Sequence, residues 1–175
     1  ANALYKRGFV QDGYEVLRGI FRMAVNVQES KIYPGLPEYF NSEGRGMYHY
    51  LTGSASWYFM TLLTESFGVK GHYGDLLLEP KLTAHQFEGA KAISVTAPFA
   101  ERRLLIVYKN PHRLCYGQYR ISGVTLNGEK IDSQLNAQDA WLLARETLEK
   151  LPAHGTHRLE VTLETKSRTP QDAPT

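Results

Sequence analysis

The amino-acid sequence predicts an α+β chain in two parts. Residues 1–73 are helical and rich in aromatics, residues 74–165 form an antiparallel β-sandwich domain with one helix, and 166–175 is a flexible tail. Three observations predict this. Val10, Tyr14, Leu17, Phe21 and Ala24 recur at alternating spacings of four and three, which puts them on one helical face. A second, almost wholly apolar helical segment begins at Ser54. After Gly74 the pattern changes to short alternating runs separated by turn residues.

The first helix is expected over 3–27. Gly8, Gly13 and Gly19 each weaken it by up to ~1 kcal/mol relative to Ala, so it is expected to pack tightly against neighbours. It has no convincing cap, and the chain starts at Ala1 with no initiator methionine. Both features point to a processed chain or one that begins inside a larger architecture. Residues 28–46, "QESKIYPGLPEYFNSEGRG", carry no period and are punctuated by Pro34-Gly35 and Pro37. Tyr33, Tyr39 and Phe40 give this stretch apolar surface to bury, so a structured loop lining a site is expected. The second helix spans 54–67. Trp57, Met60, Leu63, Thr64 and Phe67 form one face, which Tyr58 and Leu62 widen, so burial on most sides is expected, with Gly68 as the stop. Two helices offer too few layers for Phe9, Tyr14, Phe21, Trp57, Phe59 and Phe67. Further helices are expected, from upstream sequence or from a partner.

Strands are expected at 75–80, 92–99, 102–110, 119–128 and 157–165. Ile93, Val95 and Ala97 oppose Ser94 and Thr96, and Leu159, Val161 and Leu163 oppose Glu160 and Thr162. Asn127-Gly128 marks a two-residue hairpin turn. One helix is expected between the last two strands, capped by Asn136, with Trp141, Ala144, Leu148 and Leu151 on one face and Pro152 ending it.

Composition narrows the function classes. The net charge is +2 with scattered Lys and Arg, unlike the basic footprint of a nucleic-acid binder. No apolar run approaches the ~20 residues of a membrane span, and the N-terminus lacks the apolar stretch of a signal peptide. With a single cysteine, Cys115, there is no intrachain disulfide. A cytoplasmic setting is the resulting expectation. The eleven tyrosines suit sugar binding and equally suit a half-exposed core. Six histidines show no metal-ligand spacing, and no nucleophile–base set is identifiable.

The candidate site is "LTGSAS" at 51–56. A helix starting near Ser54 leaves N–H groups unpaired, Gly53 admits close approach to the backbone, and Thr52 and Ser54 add hydroxyls. This is the chemistry of a small phosphate cradle. Plain N-capping by Thr52 or Ser54 is the other reading. In the preceding loop Glu38, Glu43 and Arg45 are the charged groups best placed for a ligand, although they also read as a solvated loop.

The stretch "YHYLTGSASWYFMTLLTESFGVKGHYGDLLLEPKL", residues 48–82, resembles the C-terminal part of the family 94 glycoside phosphorylases. Their pattern is a Thr-Gly-Ser/Thr-Ala segment, an aromatic-bearing helix ending in Gly-Val/Ile, then Asp-Gly/Leu-Leu and a following proline opening a β domain. The loop before it is most similar to the 1,2-β-oligoglucan phosphorylases. The resemblance implies that this chain holds the terminal helices of an (α/α)6 catalytic barrel and the C-terminal β-sandwich. It implies phosphate binding at Thr52 and Gly53, beside Ser54. The family's phosphate-binding arginine and histidine and its general-acid aspartate find no matching residue here, so the isolated chain is expected to be inactive. Tyr33, Glu38, Tyr39, Arg45 and Tyr48 are expected to line the sugar channel by their loop position. No cofactor is implied, since inorganic phosphate is a co-substrate. The implied partners are the oligosaccharide, phosphate and the rest of the barrel, with a homodimer of the full enzyme open and no nucleic acid or membrane. A non-catalytic carbohydrate-binding or structural module and a related barrel hydrolase are the rival readings.

Overall fold

The computed structural model describes residues 1–32, 34–48, 53–135, 137 and 139–166. It is a mixed α+β chain, with helices first and then mostly antiparallel sheets. It divides into two compact units, Ala1–Ser66 and Phe67–Thr175. Among the described residues no helix is long and apolar enough to cross a membrane.

In the first unit, the single helix expected over 3–27 is three: α1 (Asn2–Lys6), α2 (Val10–Val25) and α3 (Val27–Ser30). Gly8 makes the first break. At φ +83° it donates to the Tyr5 carbonyl while Phe9 donates to the Leu4 carbonyl, the paired bonds of a Schellman ending. The folded-back α1 lays Tyr5 on Gly13 of α2, and Tyr5 is fully buried there. A Cβ at Gly13 would stand 2.7 Å from Tyr5 Cδ2. Gly13→Ala therefore overpacks this contact. The expected net loss is about 1–2 kcal/mol, after ~1 kcal/mol of gained helix propensity, read from the urea midpoint.

The expected stripe on α2 is buried at Val10, Leu17 and Ala24, whereas Phe21 is 54% exposed. The aperiodic loop holds a small hairpin, β1 (Tyr39–Phe40) against β2 (Gly46–Met47). Asn41 ties its turn by accepting from the Glu43 and Arg45 amides at 3.0 and 2.9 Å. The next helix, α4 (Ser54–Met60), runs on as a π-helix over Thr61–Ser66. The expectation that this helix is buried on most sides fails for its first turns. No residue of α4 is buried, and Thr61, Glu65 and Ser66 of the π-helix are.

The second unit has two sheets. One is β3 (Val69–His72), β4 (Asp75–Leu78) and β9 (Trp141–Leu143) in that order. The other has the order β5 (Ala92–Phe99), β6 (Arg102–Lys109), β10 (Thr156–Thr165), β7 (Tyr119–Leu126), β8 (Glu129–Ile131). The expected wholly antiparallel arrangement needs correction at one place. β10 enters between β6 and β7 and runs parallel to β6, Leu159 opposite Ile106, while pairing antiparallel with β7. Its alternation holds: His157, Leu159, Val161 and Leu163 are buried.

The helix expected from Asn136 is also corrected. Asn136 lies outside the described residues. Trp141–Leu143 is strand β9, paired with Leu76–Leu78, and only Arg145–Glu149 is helical (α5). Sheet pairing along the open edge of β4 overrides the helical spacing of the apolar residues. Arg102 fastens the end of α5, donating to the Glu149 and Leu151 carbonyls at 2.8 and 2.9 Å. Of the tail, Lys166 is held by an ion pair with Asp139 at 2.8 Å, and 167–175 lie outside the described residues.

Candidate functional site

The site is built from the first unit. Pro37 is buried, and the Glu38 amide donates to the Tyr48 carbonyl at 3.2 Å, which closes the base of the β1–β2 hairpin. That closure fixes where the Glu38 side chain starts. Its carboxylate then accepts from the Ser54 hydroxyl, Oγ to Oε2 at 3.0 Å. Ser54 opens α4. Two residues proposed from unrelated sequence signals, one in the aromatic loop and one in the Thr-Gly-Ser run, thus touch.

Both line one cavity of about 350 Å³. Its other walls are Leu17 and Ile20 of α2, Leu36 and Phe40 of the loop, and Trp57 and Tyr58 of α4. Asn2 lies on the wall too, its amide 3.5 Å from the Thr61 hydroxyl. The Tyr58 hydroxyl donates to the Leu17 carbonyl at 3.2 Å. Burial, with Tyr14 beside it, pushes the Tyr58 phenol above its ordinary value, so it serves as a neutral donor and not as a base.

Gly53 has φ −76° and ψ −5°, a conformation open to any residue. What distinguishes the position is space: a Cβ there would stand 3.3 Å from Cδ1 of Trp57. Thr52 and Tyr33 lie outside the described residues. Tyr39 and Tyr48 are 55% and 70% exposed, and Arg45 is exposed in the hairpin turn. None of these three is among the described lining residues of the cavity. The arrangement therefore draws Glu38 and Ser54 together and leaves Tyr39, Arg45 and Tyr48 on the hairpin beside them.

Sequence reasoning assigned Trp57 to a core face, whereas the structure exposes it on the wall of this cavity. The signal was available in its position three residues after Ser54, since such pairs share a helix face. Chemically the cavity combines a carboxylate acceptor, a hydroxyl and an exposed indole. That set accepts hydrogen bonds from a polyhydroxyl ligand and covers its apolar edges.

No protein-family model matches the chain, and no curated protein matches it.

Proposed function

We propose that this chain is the C-terminal part of an inverting glycoside phosphorylase acting on β-glucosides of the 1,2-linked oligoglucan class and releasing α-glucose 1-phosphate. In this reading Ala1–Ser66 supplies the last helices of an (α/α)6 barrel and Phe67–Thr175 a β-sandwich. The observation that carries the reading is the Ser54–Glu38 contact of 3.0 Å on one cavity wall. It joins the Thr-Gly-Ser run, whose resemblance is to a phosphate-binding motif, to a carboxylate suited to sugar hydroxyls. The exposed Phe9, Phe21, Val27, Phe59 and Met60 support it as well, because further barrel helices would cover them. A cytoplasmic setting goes with this reading.

The chemistry is economical. An inverting hydrolase needs a second carboxylate to activate water. A phosphorylase replaces that base with bound phosphate, which is itself the nucleophile at the anomeric carbon. One acid then protonates the departing sugar oxygen, and it belongs to the part of the barrel outside this chain. Thr52 and Gly53 hold and aim phosphate. The Ser54 hydroxyl has one proton to give, so it serves either Glu38 or phosphate at a given moment.

The test is phosphate dependence of β-1,2-glucooligosaccharide cleavage by the full-length enzyme. The expected product is glucose 1-phosphate, absent without phosphate. Thr52→Val should lower kcat/KM for phosphate about 10- to 100-fold, the worth of one hydrogen bond to a charged group, with the sugar KM little changed. Cleavage that proceeds equally well without phosphate would identify a hydrolase and end this reading.

A further inference from the structure

We propose that Trp57 is the stacking wall of a pyranose subsite, with Glu38 and Ser54 as its polar partners, in the cavity between α2, the 36–40 segment and α4. The inference deepens the phosphorylase reading and rests on it only for the identity of the sugar.

Trp57 is 68% exposed on the wall that also carries Glu38 and Ser54. The missing side chain at Gly53 lets its indole lie close over the backbone at the start of α4. An exposed tryptophan on a helix can be covered by another helix or by a ligand, and its neighbours distinguish the two. An apolar helix laid over Trp57 would also cover the exposed Glu38 carboxylate. Ser54 gives that carboxylate a hydroxyl donor, but covering a charge with no counter-charge and only a neutral donor is costly. A β-glucoside ring avoids that cost. Its C–H face packs on the indole while its equatorial hydroxyls donate to the carboxylate. The cavity, about 350 Å³, lies in the range of small-ligand sites.

The other flank of α4 shows the contrast. Phe59, 70% exposed, lines a cavity of about 170 Å³ with Phe21, Ala24, Val25, Leu36 and Tyr58, and no charged side chain is among its described lining residues. That flank suits apolar cover. One helix therefore presents a mixed polar and aromatic side at Trp57 and an apolar side at Phe59.

The probe is the β-1,2-linked glucose disaccharide. Trp57 and Trp141 are the two tryptophans of the chain. In the 175-residue chain carrying Trp141→Phe the tryptophan emission, excited beyond the tyrosine absorption band, reports Trp57. It should shift or quench saturably with the disaccharide and not with mannitol at equal concentration. In full-length enzyme, Trp57→Ala should raise KM for the disaccharide about tenfold, in line with the loss of an aromatic contact, with kcat nearly unchanged. Trp57→Phe should retain most of the affinity, and Phe59→Ala should leave KM as it was. A sugar-responsive Trp57 in a protein that cleaves nothing with phosphate keeps the subsite and ends the phosphorylase reading. Phosphate-dependent cleavage with a silent Trp57 emission and an unchanged KM in Trp57→Ala overturns the subsite. An equal rise in KM for Phe59→Ala also overturns it, by assigning the effect to general loosening of α4.

Discussion

Gly68→Ala is expected to destabilise the protein by about 4 kcal/mol or more, in the range that single substitutions rarely reach. Two costs add at this residue. Gly68 has φ +69°, where an L side chain costs ~1–2 kcal/mol. It also lies under the backbone that follows β4: an added Cβ would stand 2.0 Å from the Glu79 oxygen and 2.1 Å from its carbonyl carbon. That neighbour is main chain and cannot rotate away. Relief requires the 68–69 segment to separate from Glu79, and the Glu79 amide bond to the Gly68 carbonyl, 2.8 Å, is lost with it. Val69 of β3 pairs with Leu78 just beyond, so the β3–β4 ladder frays from the same end. Two controls divide the effect. Gly128 has φ +90° with open space around its Cβ position, so Gly128→Ala should cost about the backbone term alone, ~1–2 kcal/mol. Gly71 has open space and no positive φ, and Gly71→Ala should fall within about 0.5 kcal/mol of wild type. Thermal melts read the order directly. Gly68→Ala should lower Tm by roughly 10 °C, and a Tm equal to that of Gly71→Ala would contradict the packing account.

Gly68 also marks the limit of what could be read in advance. Its role as a helix stop was legible, because glycine after an apolar helical run is the commonest ending. The strand that follows it was not. Val69–His72 reads as "VKGH", too short and polar to announce itself, and it becomes β3 because Leu76, Leu77 and Leu78 offer it a ladder. Trp141 shows the same dependence in reverse. Its spacing to Ala144 and Leu148 is helical, yet the backbone of 141–143 is taken by the other edge of β4. β10 was legible because its buried residues alternate from His157 to Leu163, whereas β5 alternates between exposed and half-buried positions with Ala97 buried, and the buried phase of β7 shifts at Ser122–Gly123, where its register to β10 slips. Asn127-Gly128 was legible because few dipeptides tolerate its φ values of +52° and +90°. The parallel pairing of β10 with β6 joins residues about 50 apart, Arg103 with Thr156, and no local pattern encodes it.

The candidate site divides the same way. Residue types announced that Glu38 and Ser54 carry polar chemistry. Their contact depends on how the hairpin folds back, through the Glu38 amide and Tyr48 carbonyl, and a list of types cannot supply that. Trp57 was assigned to a buried face because a large apolar residue at helical spacing is usually core. What the structure adds is its 68% exposure on the wall of a cavity that Glu38 also lines, a tertiary fact.

Tyr119→Phe should cost about 2–4 kcal/mol at neutral pH, through loss of a single oxygen atom. The Tyr119 hydroxyl donates to the Pro80 carbonyl at 2.7 Å and accepts from the Leu82 amide at 2.8 Å, and the whole side chain is 1% exposed. Phenylalanine leaves both main-chain groups inside the β domain without their partner. The pH dependence tests whether that hydroxyl is buried. Burial, the largest cause, holds the Tyr119 phenol well above its ordinary value of 10.0, against a smaller lowering by the Leu82 amide. A raised pKa in the folded state means stability fully present below the unfolded value and lost as pH rises from there through the folded value. Below about pH 10 neither state ionises at this tyrosine, and the wild-type advantage over Tyr119→Phe is constant. Above it the unfolded wild-type phenol gives up its proton while the folded one does not, and the wild type loses stability that the variant has no group to lose. Tyr108 is buried and likewise raised, so it adds the same downward slope to both proteins and cancels in the difference. Urea midpoints for the two proteins should therefore lie far apart at pH 8 and converge between pH 10 and 11.5. A gap that stays constant across that range would show that the folded Tyr119 phenol ionises as readily as the unfolded one, and would contradict its placement as a buried hydroxyl.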